Sequence, residues 1–199
     1  KRILLFAVLL MVQLGFGQTT YFSRATGNWN SAGTWSTVSF ASSTNAGTFP
    51  VAGDIVNIGG GFTITLTANA ACASVTFPAS ALASTLAIGT NTLTVSGAVV
   101  MQAGTAATTR SISIGNSPGT LNAGSITIAG ANTATFINTI TVATGTINVI
   151  GDVTFNSGSQ VASANLNTTG AATINIDGNL TSGTNNGRLG LTNSATWNI

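Results

Sequence analysis

Apolar and polar residues alternate along most of this chain, and one short phrase keeps returning. It reads Leu93-Thr94-Val95-Ser96-Gly97, Ile126-Thr127-Ile128-Ala129-Gly130, Ile147-Asn148-Val149-Ile150-Gly151 and Ile174-Asn175-Ile176-Asp177-Gly178. Period-two alternation marks a strand with one face buried. Imperfect repetition of one strand-turn unit marks a solenoid. The phrase glycines sit at 97, 130, 151 and 178, spaced by 33, 21 and 27 residues. A coil takes roughly 20–30 residues, so one glycine per coil fits, with the unevenness placed in loops. A β-sandwich also explains short strands and frequent turns. Return of the phrase in one polarity favours the solenoid.

The pattern predicts strands from residue 51 onward. Asp54–Ile58 runs into the turn Gly59-Gly60-Gly61, followed by Phe62–Leu66, Ala73–Phe77, Thr85–Ile88 and Thr92–Val100. Ser111–Ile114, Ser125–Ala129, Ala134–Val142, Thr146–Phe155 and Ala172–Leu180 come next, and Arg188-Leu189-Gly190-Leu191 opens the last stretch. No segment after the leader holds apolar residues at helical spacing. Thr, Val, Ile and Gly dominate, and these favour strands and turns over helices. The expected fold is all-β, a right-handed parallel β-helix with an aromatic N-terminal cap. Inward Ile176 should then not tolerate a charge.

Three regions are expected. Residues 1–17 read as a secretory signal peptide: basic Lys1 and Arg2, an apolar run over Ile3–Val12, and small Gly15 and Gly17 before Gln18. The run is shorter than the ~20 apolar residues of a membrane span. Residues 18–50 hold the only Tyr, Tyr21, and two of three Trp, Trp29 and Trp35. Large aromatics suit a cap over the first coil, and Trp on an exported β-protein also stacks on sugars. Residues 51–199 are the coils. They stop in mid-alternation, as expected of a piece of a longer protein.

Charge narrows the partners. The formal net charge of +2 resides in Lys1 and Arg2. Beyond them Arg24, Arg110 and Arg188 balance Asp54, Asp152 and Asp177. No basic patch is available to neutralise phosphates, which argues against nucleic acid and anionic membrane surfaces. Charged residues are 4% of the chain, against about 25% in an average domain. The polar faces must therefore be built from Thr, Ser, Asn and Gly.

The sequence has no His and no Glu. That removes imidazole bases, Ser-His-Asp and Cys-His arrangements and His-rich zinc sites. The expectation is no catalysis, no cofactor and no metal. Asp152 and Asp177 flank phrase glycines 25 residues apart, and adjacent coils could bring them together. With Arg188 they are the raw material of a polysaccharide site, and alternatively are solvated turn residues. Asp54 reads as a turn cap holding backbone N–H groups. Cys72, the only cysteine, reads as a buried small hydrophobe or as the partner of a cysteine elsewhere. Thr63-x-Thr65 and Thr92-x-Thr94 fit the Thr ladders of ice-binding solenoids, but outward sites also carry Ser96, Ser113, Asn148 and Asn175, a mixed array.

Asn28-Trp29, Thr34-Trp35-Ser36, Pro50, Asp54–Ile58 and Thr63–Leu66 together resemble the start of large bacterial surface proteins. These are adhesin-like parallel β-helix proteins of Gram-negative bacteria, exported by type IX or autotransporter routes. The motifs cover roughly residues 20–77. The resemblance implies a non-catalytic structural or adhesive module, secreted or on the outer cell surface, with downstream domains. Its partners would be glycans or a host or neighbouring cell surface. The ligand candidates are Trp29, Trp35, Asp152, Asp177 and Arg188. The alternatives are a carbohydrate-binding or polysaccharide-degrading β-helix and an ice-binding solenoid.

Overall fold

The computed structural model describes residues 17–130, 136–156, 163–183, 187–190 and 194–199. The expected leader lies outside them except for Gly17. The chain begins with β1 (Thr20–Ser23), β2 (Gly27–Asn28) and β3 (Trp35–Ser36). Next are β4 (Ile55–Asn57), β5 (Thr63–Thr65), β6 (Ala70–Cys72), β7 (Ser74–Phe77) and β8 (Thr85–Gly89). Two long strands alternate with two shorter ones: β9 (Thr92–Met101), β10 (Thr109–Ile114), β11 (Thr120–Ala129) and β12 (Ile137–Val142). The rest are β13 (Thr146–Val149), β14 (Val153–Asn156), β15 (Ala164–Thr168), β16 (Thr173–Ile176), β17 (Leu180–Ser182), β18 (Gly187–Gly190) and β19 (Thr196–Asn198). Among the described residues the only helical element is one 3-10 turn, Ala32–Thr34.

These strands stack into two sheets, of 12 and 7 strands, and the chain alternates between them as it winds. The smaller sheet runs β2-β5-β8-β10-β12-β15-β18, and every pair in it is parallel. The larger sheet is parallel too, apart from β1 against β3. This is a β-solenoid. Residues 18–50 belong to it, because β1 pairs with β4 and β2 with β5.

Register explains why a chain so poor in charge folds. Leu93, Leu121, Ile147 and Ile174 stand one above another in the larger sheet. Ile64, Leu86, Ile112, Ile140 and Leu166 do the same in the smaller one. All nine are fully buried. Each such side chain contributes about 1.5–3 kcal/mol on leaving water. One coil alone could not bury them, and stacking supplies the missing wall. Ile176 is buried as expected.

The glycine spacing is corrected by the structure. The repeated corner of the larger sheet contains Gly97, Gly124, Gly151 and Gly178, each 27 residues from the last. Gly130 is not among them. The run from Ile126 to Ala129 is the second half of β11, beyond the corner, and pairs with Val153–Asn156. At the corner successive backbones touch. The Gly151 amide donates to the Gly124 carbonyl at 2.7 Å, and a Cβ on Gly151 would lie 2.7 Å from that same oxygen. The repeat is thus regular, where the sequence spacing reads as uneven.

The aromatic cap is a packed cluster. Trp29 and Trp35 meet edge to face at 5.2 Å, and Tyr21 meets Trp35 at 6.4 Å. Trp35 Nε1 donates to the Trp29 carbonyl at 2.6 Å, and Trp29 Nε1 donates to the Pro50 carbonyl at 3.1 Å. Asp54 caps the neighbouring turn, as its sequence context implies. Its carboxylate accepts from the amides of Val51 at 2.9 Å and Thr19 at 3.2 Å.

Candidate functional site

The five sequence-derived candidates do not form one site. Trp29 is 2% exposed and Trp35 fully buried. A sugar needs an open ring face to stack on, so the glycan-platform reading of these two is corrected: both indoles serve the cap. Asp152 Oδ1 is taken up by Asn179, accepting from its backbone N–H at 2.8 Å and its side-chain amide at 3.1 Å. The residue stacked over Asp152 is therefore Asn179, while exposed Asp177 lies on the other side of Gly178. Arg188 is exposed on β18, in the smaller sheet, and pairs with Asn165. The cleft expected from Asp152, Asp177 and Arg188 is not assembled, because the corner glycine separates the first two and the third belongs to another sheet.

What the fold does assemble is a pair of polar columns on the outside of the larger sheet. Thr92, Thr120, Thr146, Thr173 and Thr196 share one register position. Two residues along each strand come Thr94, Asn122, Asn148, Asn175 and Asn198. The asparagines form a continuous hydrogen-bonded ladder. Asn148 donates to Asn122 at 2.8 Å, Asn175 to Asn148 at 2.7 Å, and Asn198 to Asn175 at 2.7 Å. Asn122 reaches Thr94 Oγ1 at 3.4 Å. Such amide ladders are favoured where identical strands stack in register. A carboxamide carries two N–H donors and an oxygen with two lone pairs. The ladder uses one donor and one lone pair of each internal Asn, leaving one of each.

Beside this ladder the sheet bends at its glycine corner and leaves a recess of about 410 Å³. Thr94, Asn122 and Asn148 form one wall, and Ser96, Ala123 and Ile150 line the rest. Ile150 is 76% exposed. The sequence signal for this site is Thr-x-Asn recurring at the coil period, at Thr120, Thr146, Thr173 and Thr196. It is visible only once the strands are put in register. The hydroxyls and amides that look mixed along the chain belong to separate, regular columns.

Arg110 is the second residue the sequence does not single out. It is 1% exposed. Its guanidinium donates to Asn138 Oδ1 at 3.1 Å and to the carbonyls of Phe77, Pro78 and Gln102. The Phe136 ring lies 4.8 Å below it. Burial lowers its pKa to about 10, so it stays charged at neutral pH and acts as a clamp between loops. Cys72 is buried in the core, where burial, then the charge of Asp54, push its thiol up to about 12. That thiol is no nucleophile at neutral pH.

No group of three or more Asp, Glu, His or Cys side chains gathers among the described residues. Among the same residues no helix is long and apolar enough to cross a membrane. Comparison with protein-family models, curated proteins and solved structures finds no match.

Proposed function

We propose that this chain is a non-catalytic structural and adhesive module of a secreted or cell-surface protein. The observation that carries the reading is the asparagine ladder with its neighbouring threonine column. Together they give a stiff rod one long face of neutral donors and acceptors at a fixed repeat. Such a face recognises partners through many weak, equivalent contacts, whose sum grows with the number engaged. Acid-base cleavage would instead need carboxyl groups converging on one bond. Here Asp152 is occupied by Asn179, and Asp54 is 8% exposed and spent on its turn.

The test is adhesion without turnover. Beads coated with the full chain are held under flow over glass bearing bacterial cells or polysaccharide, beside albumin-coated beads. Retention with no release of reducing ends is expected. Release of reducing ends or of unsaturated sugars would overturn the non-catalytic half of the proposal. Beads retained no better than albumin on every surface would overturn the adhesive half.

A further inference from the structure

We infer that the recess beside the asparagine ladder binds an extended, uncharged polysaccharide strand, an inference that rests on the adhesive reading above. The recess is open along the solenoid axis, and its polar wall repeats with the strand spacing of about 4.8 Å. Each internal ladder Asn offers one free N–H and one free lone pair. A vicinal diol presents the matching pair, one hydroxyl accepting and the next donating. An extended sugar chain repeats that pair at a comparable step, so successive rings meet successive coils.

The opposite side supplies the apolar half of the contact. Ile150 stands 76% exposed next to Asn148, and Ala123 lies on the floor. Sugar rings carry C–H faces that cover such groups. Val149 pairs with Ile176, so Asp177 follows one coil on, at the place of Ile150. It is exposed and adds an acceptor for hydroxyls while repelling uronates. The remaining lining carries no charge, so an anionic polymer would lose its hydration with no cation to replace it. Charge thus selects a neutral glycan. An ice lattice fits less well, because it needs a flat plane and these amides form the wall of a recess.

The experiment is retention of the full chain on cellulose, chitin, xylan and mannan, with polygalacturonate as the anionic control. Retention on at least one neutral polymer is expected, and none on polygalacturonate. Ile150→Asp, at an exposed site, should weaken retention about tenfold with an unchanged melting temperature. Ser96→Arg should do the same by filling the recess. Retention on no neutral polymer, preference for polygalacturonate, or equal retention by both variants would overturn the inference. So would thermal hysteresis that Ile150→Asp abolishes, since that assigns the face to ice. Adhesion to cells without polysaccharide retention would sink this site and leave the adhesive module standing. Retention accompanied by cleavage would do the reverse.

Discussion

Arg110 donates from Nε to Oδ1 of Asn138 at 3.1 Å, and both side chains are buried. Asn138 in turn donates to the carbonyls of Ala129 at 2.8 Å and Gln102 at 2.9 Å. The pair ties the end of one coil to the start of the next. Replacing Arg110 by Met keeps the bulk but leaves the Pro78 and Gln102 carbonyls without this donor. Hydrogen bonds from a charged group contribute about 1.5–3 kcal/mol each, so a loss on the order of 3 kcal/mol is expected. Arg110→Lys should not restore it, since an ammonium lacks the planar fork. A urea midpoint equal to wild type in either variant would refute the clamp.

Asn148 sits mid-ladder, donating to Asn122 and accepting from Asn175. Asn148→Ala removes both bonds at a half-buried site, with an expected cost of about 1–2 kcal/mol. The more telling measurement is a double-mutant cycle with Asn175→Ala. Residues in one network couple by about 0.5–3 kcal/mol. Strict additivity in chemical denaturation would mean that the ladder amides act independently.

Much of the fold was legible because stacking turns local alternation directly into burial. Leu93, Ile147 and Ile174 could be placed inside from period two alone, and Asp54 could be placed on its turn from residue type. The phrase at Ile126–Gly130 misled because each long strand has two alternating runs, one on each side of a corner, and periodicity does not say which is which. Gly124 is distinguished only by what lies above and below it. The asparagine ladder was hidden for the same reason. Its members are about one coil apart in sequence, and their alignment depends on loop lengths that no local pattern encodes. Arg110 and the two tryptophans show a further limit: a lone cation or a lone indole has the same sequence context whether it faces water or the core.

Gly124 is closed to any side chain by its neighbours' backbone. An added Cβ would lie 2.8 Å from the carbonyl oxygens of both Ser96 and Gly97. Backbone of a stacked coil cannot step aside without disturbing the ladder on either side. Gly124→Ala should therefore cost about 1–3 kcal/mol, in the range of overpacked sites. Gly33→Ala is the control, since its nearest atom would be Ser31 Oγ at 3.7 Å. Equal melting temperatures for the two variants would show that the corner is not sterically closed.

The cap can be tested through its own fluorescence. Trp29 and Trp35 are buried and pack against each other, so native emission should be blue-shifted and shielded from acrylamide. Trp35→Ala should cost about 3–5 kcal/mol, as expected for emptying an aromatic core position. Soluble sugars should leave the emission unchanged, because they have no route to either ring. A sugar-dependent shift would return these residues to the list of ligand contacts.

Alkaline stability should report on Cys72. Burial, then the charge of Asp54, hold its thiol up at about 12 in the folded chain, against about 8.5 for an unfolded cysteine. Below pH 8.5 both states keep the proton, and the contribution to stability is fully present. Between there and pH 12 the unfolded chain releases its proton and the folded chain does not, so stability falls as pH rises. The slope approaches about 1.4 kcal/mol per pH unit within that window. Tyr21, also raised chiefly by burial and then by Asp54, adds a loss of the same sign at the upper end. Cys72→Ala should be less stable at pH 7, where it leaves a small cavity, yet should lose less between pH 8.5 and 11. Denaturation midpoints measured across that range separate the two effects. Parallel profiles for the variant and the native chain would mean that the thiol keeps an ordinary pKa and is reached by solvent.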